Sequence, residues 1–265
     1  MRERHYPLAE QCFARVAAWL DSPELLDETR LVCRTFLMQS ASYLDYCCGD
    51  YKEARRKTLE GLHADDVLEN RHGYEILLVH RLQFALNLVR ISARTGRCRR
   101  AVALACRILV FLGTQPLAPP LPGQWNDAHL AALPAELVSK LCQQVVSELA
   151  TLLVAVDPKQ RERFWSILQP WLSRMLFQEC CPRAYTWLRL KSALLAGDDQ
   201  TFLELGLEYM RAGRSELPLL WYSTVFEILA FAKRQCLPGA QRMHAQVQLD
   251  SKTWQDLPDE WKLPA

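Results

Sequence analysis

Apolar residues recur at intervals of three and four through most of this 265-residue chain, a period that only helices turn into a continuous buried face. Tyr74, Leu78, Leu82, Ala85, Val89 and Ser92 form one such stripe, and Leu141, Val145, Leu149, Leu152 and Val156 form another. Only 10 glycines are present and alternating β-branched runs are missing, so sheets built from hairpins are disfavoured. With 50% apolar and 23% charged residues, the chain has the composition of one large globular domain or two small ones.

The stripes and their breakers predict a segmentation. Ser22-Pro23-Glu24 reads as a cap with proline at the first helical position, opening a helix toward Cys48. Further helices are expected over about 51–63, 72–95 and 98–112. TQPLAPPLPGQW has too many prolines to continue a helix and reads as an extended connector. Helical periodicity resumes at Pro134, and Asp157-Pro158-Lys159-Gln160 stops that helix and caps the next, with shorter helices expected around 170–180, 183–196, 199–212 and 216–235. The domain plan is a helical half over 1–113, a proline-rich connector over 114–133 and a second helical half over 134–249. A polar tail over 250–265 follows, whose Trp254 and Trp261 are expected to pack back onto the domain or dock on a partner.

The stretch Gly49-Asp50-Tyr51-Lys52-Glu53-Ala54 has the chemistry of a helical hairpin. Glycine permits the chain reversal, Tyr51 fills the gap between the helices, and Ala54 lets them approach. The offsets recur at Gly96, Cys98 and Ala101, and again at Gly197 and Phe202, each followed by apolar residues ten and thirteen positions on. This pattern resembles the middle of a tetratricopeptide repeat, most closely over 41–62. The resemblance implies an all-α chain of irregular antiparallel hairpins stacked as a tetratricopeptide-like solenoid. It also implies a protein-interaction adaptor or regulatory subunit that binds a partner segment on a concave surface.

The charge is unevenly placed. Residues 1–75 carry ten Lys/Arg and fourteen Asp/Glu, whereas residues 76–126 carry seven arginines and no acid. Arg90, Arg94, Arg97, Arg100 and Arg107 are therefore the candidate contacts for an acidic protein or peptide partner. Nucleic acid is disfavoured, because the overall pI is only about 8.0 and no aromatic is interleaved with these arginines. Cys98, between Arg97 and Arg99, reads as inter-helix filler, like Tyr51 in the first hairpin.

No C-x-x-C pair, paired-histidine spacing, G-x-S-x-G elbow, phosphate loop or dinucleotide fingerprint occurs, so neither a metal, a cofactor nor a catalytic residue is expected from motifs. Catalytic groups gathered from distant helices would leave no such motif. A ligand- or peptide-responsive regulator is the alternative reading, and an enzyme with dispersed residues the third. The charged opening MRERHYPLAE and the lack of a long uncharged apolar run lead to the expectation of a soluble cytoplasmic chain with cysteines reduced and packed as small hydrophobes.

Overall fold

The computed structural model describes residues 6–114, 119–154, 158–175, 178–214, 217–255, 257–258 and 261. Among these residues the chain is entirely helical, without strands, and divides into two compact units, residues 1–134 and 135–265. The first unit contains α1 (Tyr6–Leu20), α2 (Asp27–Cys48), α3 (Tyr51–His72), α4 (Leu77–Arg94), α5 (Cys98–Thr114) and the short α6 (Asp127–Ala131). The second contains α7 (Ala135–Leu153), α8 (Pro158–Leu172), α9 (Pro182–Ala196), α10 (Asp199–Arg211), α11 (Pro218–Arg234) and α12 (Ala240–Asp250).

The three glycines of the repeated pattern all sit at bends, with φ of 84°, 72° and 79° at Gly49, Gly96 and Gly197. In each case the next residue's N–H reaches back five positions, Asp50 to Asp45 O at 2.9 Å, Arg97 to Ser92 O at 2.8 Å and Asp198 to Ala193 O at 2.9 Å. These are Schellman closures, which need a left-handed residue where any Cβ is strained. At two of the turns the residue after glycine also starts the next helix. The Asp50 carboxylate accepts from Glu53 N–H at 3.0 Å and that of Asp198 from Thr201 N–H at 3.1 Å. Ala54, Ala101 and Phe202 are fully buried, while Tyr51 and Cys98 are half-buried.

In the first unit each helix from α1 to α5 packs on its neighbour in the chain. The core is made by Leu78, Leu82, Phe84, Ala85 and Val89 of α4 with Ala54 and Leu68 of α3 and the apolar face of α5. In the second unit α8 to α12 also pack sequentially, and α7 lies against α9 and α11. Trp187 is buried at its centre, whereas Trp165, Trp171 and Trp221 are half-buried. The tail returns to α11. Trp254 stacks on Tyr222 at 4.5 Å between centroids, and Trp261 meets Phe226 edge-on at 5.9 Å.

Several expected boundaries are corrected. Residues 22–25 form a turn and α2 begins at Asp27, because the Arg30 guanidinium gathers the carbonyls of Leu20, Ser22 and Leu25 at 2.9–3.1 Å and holds the chain in a bend. Helix α3 continues past residue 63 to His72, burying Ala64, Asp65, Leu68 and Glu69. Tyr74 consequently precedes α4 and donates its hydroxyl to Glu28 at 2.7 Å. A helix does start at Pro158, but α8 ends at Leu172 and the described residues 173–175 and 178–180 are not helical, while α1, α6 and α12 form where no helix was expected. The described part of the connector joins the first unit, the unit boundary falling at Pro134, while 115–118 lie outside the described residues.

Gly61 of α3 faces the Phe84 ring so closely that an added Cβ would lie 2.8 Å from Cε2 and collide with Cζ. Gly206 of α10 is also helical, but its Cβ would meet Ile228 Cδ1 at an ordinary 3.5 Å. Gly61→Ala is expected to destabilise the chain by about 1–3 kcal/mol through overpacking. Gly206→Ala is expected to be neutral or to stabilise by up to about 1 kcal/mol through helix propensity. Urea denaturation of the two variants measures the contrast.

Candidate functional site

Because α3 and α4 run antiparallel, the start of α3 lies beside the end of α4, and the Gly49 and Gly96 turns come to the same end of the first unit. There the helices leave an open groove of about 500 Å3. Leu59 and Ile91 give it an apolar lining, Tyr51 stands at one side, and Lys52, Arg55, Arg56 and Arg97 surround it. Ser92 and Thr95 add hydroxyls on the α4 side.

The acids of this region are already engaged. Arg56 holds Glu53 through contacts of 2.6–3.0 Å and reaches Glu60 at 2.7 Å. Its hydrogen bond pulls the Glu53 carboxyl below the ordinary glutamate range, and the pair drives the Arg56 guanidinium upward in turn. Glu60 is also held by Arg34 at 2.8 Å, and Asp45 by Lys57 at 2.8 Å. No carboxylate among the described residues pairs with Arg55 or Arg97, so the groove has a cationic rim over an apolar floor.

The five arginines singled out in the sequence do not share one place. Arg97 lines the groove. Arg94, one turn earlier, donates to the Tyr46 hydroxyl at 3.2 Å and so ties the ends of α4 and α2. Arg90 is half-buried and donates to Asn87 Oδ1 at 3.2 Å. Arg100 is exposed on the first turn of α5. Arg107, farther along α5, donates to Pro119 O at 2.9 Å and fastens the connector. Lys52, Arg55 and Arg56 were not singled out, although their position in the first turns of α3, just after Gly49, places them beside whatever helix packs there.

Two buried polar clusters lie farther along α3 and α4, toward the turn that joins them. Arg81 is fully buried, paired with Glu69 at 2.7 Å and Asp66 at 2.8 Å, donating to Gln124 O at 2.6 Å, and lying 4.2 Å over the Trp125 ring. His129 of α6 meets the other Glu69 oxygen at 2.8 Å. In the second cluster Thr35 donates to Asp65 at 2.6 Å and His80 Nδ1 meets the same carboxylate at 2.8 Å. This is not the order of a nucleophile-base-acid triad. The Thr35 hydroxyl lies 3.4 Å from Nδ1, the nitrogen that Asp65 already holds, whereas a nucleophile must face Nε2. Among the described residues no group of three or more His, Cys, Asp or Glu is placed to hold a metal, and no helix is long and apolar enough to cross a membrane.

No family model, curated protein or solved structure matches this chain. The division of labour among its arginines is testable by stability alone. Arg81→Met leaves Glu69 buried without its cation and is expected to cost about 3–5 kcal/mol in urea denaturation. Arg97→Met, at the exposed groove rim, is expected to change stability by less than about 0.5 kcal/mol.

Proposed function

We propose that this chain is a protein-interaction adaptor or regulatory subunit whose first unit receives an acidic, partly apolar segment of another protein in the α3/α4 groove. The carrying observation is the surplus of cations at Lys52, Arg55 and Arg97 around a floor of Leu59 and Ile91. Charge at the rim steers and orients an acidic segment, and the apolar floor supplies burial once it has docked. Hairpins that reverse at Gly49 and Gly96, with helices packing on their chain neighbours, support a tetratricopeptide-like stacking of the first unit. Fold alone fixes no function, so the reading stands on the groove.

A volume of about 500 Å3 also suits a small anionic ligand, the regulator alternative. The two readings are separated by what binds. A fluorescent peptide of alternating Glu and Leu is expected to bind wild type at low salt, to lose affinity as salt screens the rim, and to outcompete a polyglutamate of equal charge. Arg55→Glu/Arg97→Glu is expected to weaken binding about tenfold or more, equivalent to about 1.4 kcal/mol. Arg189→Glu/Arg211→Glu, exposed in the second unit and identical in net charge, is expected to leave it unchanged. Equal binding by the two double variants removes the groove from the proposal, and binding of citrate but of neither peptide favours the small-ligand reading. Fluorescence anisotropy measures all arms.

A further inference from the structure

Three of the ten cysteines come together in the second unit. Cys142 is buried on α7, Cys180 is half-buried in the turn before α9, and Cys181 is the buried residue that precedes Pro182 at the start of α9. Helices α7 and α9 pack directly, and the thiols of Cys142 and Cys180 are hydrogen-bonded across that contact. Cys181 is occupied differently, against the Ala184 N–H and the side chains of Ser139 and Gln143 on α7. The three sulfurs are not arranged to hold a metal ion.

We propose that Cys180 and Cys142 are a peroxide-oxidisable dithiol that closes into a disulfide between the start of α9 and α7. The two thiols have the unequal settings such chemistry requires. The hydrogen bond from Cys142 and the Cys180 backbone N–H bring the Cys180 thiol down to about 7, against opposing burial and the charge of Glu179. The same hydrogen bond, together with burial, pushes the Cys142 thiol up, so it stays protonated as the donor. Cys180 is thus the more accessible and more acidic thiol of the pair, and Cys142 is a buried resolving thiol in contact with it.

The Cys180 thiolate attacks one oxygen of hydrogen peroxide, the O–O bond breaks, and a sulfenic acid forms as hydroxide leaves and takes a proton from solvent. Cys142 then gives up its proton, its sulfur attacks the Cys180 sulfur, the S–O bond breaks and water departs. Two thiols are oxidised by two electrons and one peroxide is reduced to two waters. Closure between the neighbours Cys180 and Cys181 is disfavoured, because adjacent Cα atoms are only about 3.8 Å apart across a trans peptide, below the roughly 4.4–6.8 Å that disulfides span.

The test treats the reduced full chain with one equivalent of hydrogen peroxide at pH 7, alkylates it after unfolding, and maps peptides without reduction. The expected result is a cross-linked Cys142–Cys180 peptide, two hydrogens lighter than its parts, with both thiols lost to alkylation. Cys142→Ser is expected to leave a Cys180 sulfenic acid that dimedone traps at least severalfold more than in wild type. Because the wild-type peptide map carries the test, a variant that folds poorly does not blunt it. The proposal is overturned if peroxide consumes the exposed Cys12, Cys48 or Cys236 while Cys142 and Cys180 remain alkylatable, or if Cys180 joins Cys181 instead.

Discussion

A guanidinium taken wholly out of water is the constraint on which the first unit depends. Arg81 loses its hydration on α4, at a cost of several kcal/mol, and only well-directed partners offset that loss. Glu69 and Asp66 come from α3, the Gln124 carbonyl and Trp125 ring from the connector, and His129 from α6 secures Glu69 from its other side. The two terminal nitrogens of Arg81 find these partners only when those segments are in one register. That register sets the start of α3 beside the end of α4, which is where Leu59 and Ile91 form a floor and the basic residues a rim. The interior polar contacts therefore position the surface groove without touching anything that occupies it.

The second unit contains a comparably buried ion pair. Lys191 of α9 is buried against Glu227 of α11, and one turn away Trp187 donates to Ser223 at 2.7 Å. Burial, more than any neighbour, lowers the Lys191 ammonium from its ordinary range, with Glu227 working in the opposite direction. This seam fixes how α9 meets α11. The same α9 presents its starting turn to α7, and there the contact is made by thiols rather than charges. One helix thus carries a closed structural pair along its length and a chemically reactive pair at its beginning.

Local patterns made much of the helical content readable. The αL glycines at 49, 96 and 197, and the long stripes of α4 and α7, announce themselves because each depends on residues within a few positions. The missed helices have weak stripes, since α1 buries only Leu20 and α12 only Val247. The underestimated length of α3 has another cause. Asp65 and Glu69 occupy core-facing positions in its second half, so the apolar period is broken where the helix is in fact buried. Trp254 and Trp261 stand out in a polar tail, but only the tertiary structure shows that Tyr222 and Phe226 are the rings that receive them.

Arginine shows the boundary between the two kinds of information. Arg81, Arg97 and Arg107 belong to one acid-free stretch, yet the first is an interior cation, the second lines an open groove and the third secures a connector. By itself the sequence determined that the chain is helical and where several helices reverse, because hydrogen-bond ladders and left-handed glycines are settled among near neighbours. Which charges lose water, and which remain available, was decided by the tertiary structure. Desolvation depends on groups brought from distant parts of the chain, and no local spacing encodes them.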